Sequence, residues 1–213
     1  SSRERKWYAS PNEFMRSQGL NLGQQDVFVK AIAEDAQGRL WLATEHQGLY
    51  VADLQRRQLT NAIYNAANPN TLPDNTLQSL YVDKSGGVWI GTYKNGVAYY
   101  SPSLAHFPTV PLGDICCIAV DQQGNYWYGT NDSGLLLHTP GHGTYRRYRL
   151  PQTGLGTDVV VCALLASDGT LWFGSFNGGL THYANGSFRA FNTGNSQLAN
   201  NSVWSLAEDA QGN

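Results

Sequence analysis

The sequence has little charge, little methionine and few cysteines, and it lacks a long hydrophobic run. Only 14% of its 213 residues are charged, against roughly 25% in an average soluble protein, and the formal net charge is −2. No basic tract is present, which argues against nucleic acid as the main partner. The longest apolar run, Val159–Ala166, is too short to span a bilayer. Three cysteines cannot all pair with one another, so no disulfide framework is implied.

Glycine and aromatic residues are abundant, and one segment recurs. The chain has 23 glycines and 12% aromatic residues, a composition that favours an all-β protein with many tight turns. The pattern D-x-x-G-x-x-W-x-G/A-T/S occurs four times, with tryptophans at positions 41, 89, 127 and 172, and a fifth copy begins at Asp209. Four copies at this period indicate a repeat protein.

Each copy predicts four short strands. A β-rich run precedes the aspartate, the tryptophan lies in the next strand, and a second turn ends in glycine before a third strand. A more polar fourth strand follows in most copies; in the second copy it is weak, around His106–Val110. Four antiparallel strands every ~40–45 residues are typical of a β-propeller blade. We therefore expect an all-β protein, a β-propeller made of four-stranded antiparallel blades.

The repeats also predict the domain organisation. Residues 1–26 read as the end of a preceding blade, with Lys6–Ala9 as its last strand. The complete blades are predicted at 27–65, 75–110, 114–150 and 158–192, and residues 201–213 begin another. The chain reads as an internal window, a partial propeller spanning 1–213.

The residues that recur in every blade are expected to be architectural, because each copy needs the same turns and the same packing between blades. These residues are Asp35, Gly38, Trp41, Asp83, Gly86, Trp89, Asp121, Gly124, Trp127, Gly169 and Trp172. Small residues recur in the first strands, where crowding near the propeller axis permits little else: Ala31, Ser79, Cys117, Cys162 and Ser205.

Function is expected where the blades differ, above all in the turn between the second and third strands. Aromatic, amide and charged residues there suit sugar hydroxyls and ring faces; the alternative is that they are solvated turns. The candidate ligand-binding residues are Glu45, His46, Tyr93, Lys94, Asn131, Asp132, Phe176 and Asn177. Among the equivalent positions of the first strands, Trp204 is the single aromatic residue. It either lines the propeller axis or packs in the interface with the next blade.

No catalytic or metal-binding motif emerges, so neither a catalytic residue nor a metal or other cofactor is predicted. His138 and His142 are four residues apart but flank Pro140-Gly141, which excludes a shared helix face. Cys117 and Cys162 are either a disulfide across neighbouring strands or buried small residues, and the redox state of Cys116 stays open with theirs. The basic segment Tyr145–Arg149 reads as a charged outer edge or as a site for an anionic sugar.

The repeats resemble the two-component regulator propeller repeat. The segments Leu77–Thr92 and Trp172–Leu180 follow that pattern closely, and the resemblance covers about residues 27–213. Two positions depart from it: Ala43 replaces a glycine, and Ala166 replaces the first aspartate of the fourth copy.

The resemblance implies a sensor. Such repeats form the periplasmic region of hybrid two-component histidine kinases, inner-membrane proteins that typically carry seven-bladed propellers. Relatives in gut bacteria sense oligosaccharides and signal through a phosphorelay. By this resemblance the chain is a non-catalytic, ligand-sensing segment whose parent forms a homodimer and meets the membrane only through its own transmembrane helix. Two alternatives stay open: a propeller enzyme of the streptogramin-lyase type, and an interaction scaffold without a small ligand.

Overall fold

The computed structural model describes residues 6–68, 70–101, 107–150 and 154–212. This part of the chain contains one short helix, α1 (Pro11–Ser17), and sixteen strands. The strands are β1 (Val29–Glu34), β2 (Leu40–Thr44), β3 (Leu49–Asp53), β4 (Gln58–Ala62), β5 (Leu77–Val82), β6 (Val88–Thr92), β7 (Val97–Tyr100), β8 (Thr109–Val110), β9 (Ile115–Val120), β10 (Tyr126–Thr130), β11 (Leu135–His138), β12 (Tyr145–Tyr148), β13 (Val160–Leu165), β14 (Leu171–Ser175), β15 (Leu180–Ala184) and β16 (Ser187–Phe191).

The strands form four four-stranded antiparallel sheets, one for each complete copy of the repeat. Within each sheet the strands follow chain order, from β1 to β4, β5 to β8, β9 to β12 and β13 to β16. The predicted fold class is therefore confirmed. In the second sheet the fourth strand is only Thr109–Val110, and His106, where the sequence placed its start, lies outside the described residues.

Two expected strands are absent from the described residues. Lys6–Ala9 form no strand, so that prediction is wrong, and helix α1 follows instead. The Ser10 hydroxyl accepts a hydrogen bond from the Glu13 amide, and Pro11 occupies the first turn, which together begin the helix. Val203–Glu208 also lie outside any strand in the described residues.

The chain divides into two compact units. The first comprises residues 1–90 and 98–109. One core cluster there packs β2 against β5 and β6 and includes Trp41, Leu77 and Ile90. The Trp41 ring lies 4.9 Å from the ring of Tyr100, so the indole is wedged between the first sheet and the second. A further cluster packs Met15 of α1 and the following loop on Leu42 and its neighbours.

The second unit comprises residues 91–97 and 110–213. Its core is aromatic and joins the third sheet to the fourth. The Trp127 ring lies 4.7 Å from that of Tyr183 and 5.7 Å from that of Phe173, while Tyr148 and Phe188 pack 5.0 Å apart. Neither unit contains, among the described residues, a helix with the length and apolar character needed to cross a membrane.

Candidate functional site

The recurring aspartates bind the tryptophans of the following strands. Their Oδ2 atoms accept a hydrogen bond from the indole Nε1, over 2.8 Å from Trp41 to Asp35 and over 3.0 Å from Trp127 to Asp121. The same bond joins Trp89 to Asp83 over 3.1 Å. The Oδ1 atoms accept backbone N–H groups two and four residues further on, and this closes the turn.

Asp35 and Asp83 are ionised structural groups. Burial raises the pKa of Asp35, but the hydrogen bonds from Trp41 and Arg39 outweigh it, and the net shift is below the ordinary value. The pKa of Asp83 is lowered in the same way, because hydrogen bonds from Ser85, Gly87 and Trp89 exceed the effect of burial. A carboxylate held this way serves the turn and does not act as a proton donor near neutral pH.

The eight candidate residues all lie on four equivalent turns. In each turn a buried Thr or Ser hydroxyl donates to the carbonyl of the glycine four residues later. The N–H of that glycine donates to a carbonyl of the loop that leads into the next repeat. The glycine–carbonyl pairs are Gly48–Asn75, Gly96–Gly113, Gly134–Asp158 and Gly179–Asn201. Within each turn, the repeated residues thus fix the backbone that carries the variable residues.

In the first unit, the turn carries Glu45 and His46. Glu45 forms an isolated backbone bridge with Thr76. The His46 Nδ1 atom lies 3.1 Å from the Thr76 hydroxyl oxygen, which ties the imidazole to the loop entering the second repeat.

In the second unit, the turn of the second repeat presents an aromatic ring and a cation. Tyr93 is 38% exposed, and the Lys94 ammonium lies 4.7 Å from the centroid of its ring. Lys94 has a φ of 86°, in the left-handed region that non-glycine residues seldom adopt.

The turn of the third repeat is polar and extensively bonded. The backbone N–H of Asn131 donates to the carbonyl of Asp114. The Asp132 Oδ1 atom accepts from the Ser133 hydroxyl, and its carbonyl accepts from Arg149, which also pairs with Asp158 at 3.3 Å. Arg149, one of the arginines of the basic segment, therefore binds this turn. The guanidinium of a second, Arg146, lies 5.0 Å from the centroid of the Tyr148 ring.

The turn of the fourth repeat joins an aromatic pair. Phe176 is 43% exposed and its ring lies 5.7 Å from that of Trp204, which is 64% exposed. Asn177 has a φ of 60°, its N–H donates to the Ser202 hydroxyl oxygen, and its Oδ1 accepts from that hydroxyl. Trp204 is not among the predicted ligand-binding residues. The sequence did mark it, because it is the one aromatic residue at this position of the first strands.

In the part of the chain that the structure describes, no group of three or more His, Cys, Asp or Glu residues is arranged so that it could hold a metal ion. Cys116, Cys117 and Cys162 form no disulfide in the described structure. Cys117 is buried, and burial raises its thiol pKa well above the usual range. Its sulfur fits beside Gly129, where a Cβ would overlap it, as Cys162 fits beside Gly174. These two thiols therefore fill crowded positions on the first strands.

The fold and the turns define a class of protein: an all-β propeller in which constant residues build the blades and variable residues occupy one set of turns. The pattern of the two component regulator propeller family matches residues 22–46, 71–94, 109–132 and 154–177. The chain therefore carries four repeats of the two component regulator propeller type.

Solved structures support the same assignment. The extracellular domain of the hybrid two component system BT3049 from B. thetaiotaomicron is 23% identical, with a TM-score of 0.72 over 87% of this chain and 26% of that one. The extracellular domain of the one component system BT4673 from the same organism is 27% identical, with a TM-score of 0.71 over 90% of this chain and 26% of that one. The chain thus spans about a quarter of these domains. No curated protein matches it.

An enzyme shares the fold. Virginiamycin B lyase from Staphylococcus aureus is 19% identical, with a TM-score of 0.69 over 89% of this chain and 62% of that one. At this level of identity the similarity shows the fold alone.

Proposed function

We propose that the chain is a ligand-sensing propeller segment of an extracytoplasmic two-component sensor, and that its ligand is an oligosaccharide. On this proposal the segment is non-catalytic and periplasmic. It belongs to a homodimeric histidine kinase that crosses the inner membrane elsewhere and signals through a phosphorelay. The similarity to extracellular domains of two-component systems supports the sensor role.

One observation carries the ligand-binding part of the proposal. The residues that vary between repeats lie on turns that the constant residues fix, and two of them, Tyr93 and Phe176, keep more than a third of their surface exposed. Each aromatic is followed by a polar residue in the left-handed conformation, Lys94 and Asn177. Backbone strain held by surrounding hydrogen bonds is a common feature of binding sites. Exposed rings beside amide and ammonium donors suit the apolar faces and hydroxyls of sugars.

The test is a binding titration with oligosaccharides. The chain is titrated calorimetrically with maltotriose, cellotriose, xylotriose and mannotriose, and the tightest ligand is then used with the variant Tyr93→Ala. We expect its affinity to fall about tenfold or more, since a tenfold loss is about 1.4 kcal/mol and truncation of an aromatic residue at the centre of a binding site costs at least that much. Tyr64→Ala is the matched control, because Tyr64 is a comparably exposed tyrosine outside these turns.

Two results would contradict the proposal. Unchanged affinity of Tyr93→Ala would remove this turn from the site. No binding of any trisaccharide would instead favour the alternatives raised by the sequence, a lyase-type enzyme or a scaffold without a small ligand.

A further inference from the structure

The pair Phe176–Trp204 is an exposed aromatic surface built from two distant parts of the chain. The rings are inclined by 47° with their centroids 5.7 Å apart, and Trp204 is the more exposed of the two. Most exposed aromatics are scattered singly and need no explanation. Two that share one surface present a continuous apolar area, bent where the rings meet.

Hydrogen bonds fix this surface in place. The Val203 N–H donates to the Ser175 carbonyl over 2.9 Å, and the Gly179 N–H donates to the Asn201 carbonyl over 2.7 Å. Two further hydrogen bonds join Asn177 to Ser202: the Asn177 N–H donates to the Ser202 hydroxyl oxygen over 3.2 Å, and that hydroxyl donates to the Asn177 Oδ1 over 3.3 Å. Four bonds therefore hold the turn against the segment that carries Trp204. A surface ordered before binding loses less conformational entropy when a ligand arrives.

The residues that flank the pair in sequence are uncharged and mostly polar. Besides the aromatics, residues 175–179 and 200–205 contain Ser, Asn, Gly and Val203, and no acidic or basic residue. A membrane surface or an anionic ligand would call for Lys or Arg beside the rings. Amides and hydroxyls around bare aromatic faces instead suit a neutral ligand that has both apolar C–H faces and many hydroxyls.

We propose that Phe176 and Trp204 form the stacking platform for a neutral pyranose unit, with Asn177 and Ser202 at its polar edge. This rests on the proposed function and specifies its ligand: a neutral oligosaccharide, bound through Trp204 as the main contact.

The experiment compares binding and tryptophan fluorescence in the 213-residue chain. Cellotriose, maltotriose and xylotriose serve as neutral probes and trigalacturonate as the anionic probe. Trp204→Ala is expected to weaken neutral-probe affinity about tenfold, while Trp204→Phe, which keeps a ring, stays within about threefold of the original. Trp7→Ala is the matched control, since Trp7 is 87% exposed and lies in the other unit; it is expected to leave the affinity unchanged. Circular dichroism checks that each variant is folded.

The outcomes separate the two proposals. If the chain binds a probe and Tyr93→Ala weakens it but Trp204→Ala does not, the sensor proposal stands and the platform is wrong. Tighter binding of trigalacturonate than of every neutral probe overturns the neutral class. Absence of binding by the unmodified chain overturns both proposals together.

Discussion

At the residue scale, one carboxylate organises the turn and the packing beside it in three of the four repeats. Asp35 accepts the indole N–H of Trp41, two backbone N–H groups and the Arg39 Nε atom, and its side chain is fully buried. In the fourth repeat Ala166 occupies the equivalent position, and the turn is closed by backbone bonds together with Asp168, which accepts from the Thr170 N–H. The turn can therefore form without the aspartate, whose added contribution is to anchor the tryptophan.

Asp35→Ala should consequently destabilise the protein without preventing folding. We expect the free energy of unfolding to fall by about 2–4 kcal/mol, because several charge-assisted hydrogen bonds are lost at a buried position. Urea unfolding measures the change. Asp168→Ala is the matched control, since that carboxylate sits in the equivalent turn but is exposed, and it should cost less than ~1 kcal/mol.

The difference between the original protein and Asp35→Ala should also depend on pH. The pKa of Asp35 lies below its ordinary value of 3.8, so its stabilising contribution is complete above that pH and is lost as the pH falls through the folded-state value. The two proteins should therefore converge in stability only below about pH 4. A difference that stays constant down to pH 2 would show that the charge of Asp35 is not what stabilises the turn.

At the element scale, the turn between the second and third strands depends on a glycine that lies against the backbone of the fourth strand. Gly134 has a φ of 73°, and a Cβ there would overlap the carbonyl oxygen of Tyr148. Gly124, in the aspartate turn of the same sheet, has a φ of 83° but nothing within 4 Å of a Cβ. The two glycines share a backbone conformation and differ in surrounding space.

Gly134→Ala should thus cost more stability than Gly124→Ala. The left-handed conformation alone costs about 1–2 kcal/mol for an alanine, and at Gly134 the overlap adds displacement of β12. We expect about 1 kcal/mol at Gly124 and at least ~3 kcal/mol at Gly134, measured by urea unfolding. Equal losses at the two sites would contradict the close approach to Tyr148.

The same elements show which parts of the structure could be predicted from sequence. The sheets follow from the D-x-x-G and W-x-G-T patterns, because turn chemistry and strand alternation act locally and recur four times. Helix α1 was missed although Ser10-Pro11 and Glu13 give a start signal, since seven residues carry too little helical periodicity. The contact between Phe176 and Trp204 could not be predicted, because it depends on how the intervening strands and loop return the chain to the turn.

At the scale of the whole molecule, each blade depends on its neighbour for a core. Within the second unit, Trp127 is 1% exposed and contacts Phe173, Tyr183 and Phe188 of the following sheet, whereas Trp172, at the same repeat position, packs on His182 and Phe191 of its own sheet. Trp127 therefore contributes to the core shared by the third and fourth sheets, and comparing it with Trp172 measures how far these two sheets are coupled.

Trp127→Ala should destabilise both sheets of the second unit together. Truncating a fully buried tryptophan costs about 3–5 kcal/mol. The lost ring contacts include Tyr148 of the third sheet as well as Phe173, Tyr183 and Phe188 of the fourth, so amide protection should fall in β9–β12 and in β13–β16 alike. Trp172→Ala, which leaves this shared core intact, should cost less and should reduce protection chiefly in β13–β16. Hydrogen exchange measured by mass spectrometry distinguishes the two patterns. Loss of protection confined to β9–β12 in Trp127→Ala would mean that the blades are stable one by one, and that the aromatic core between them contributes little to cooperativity.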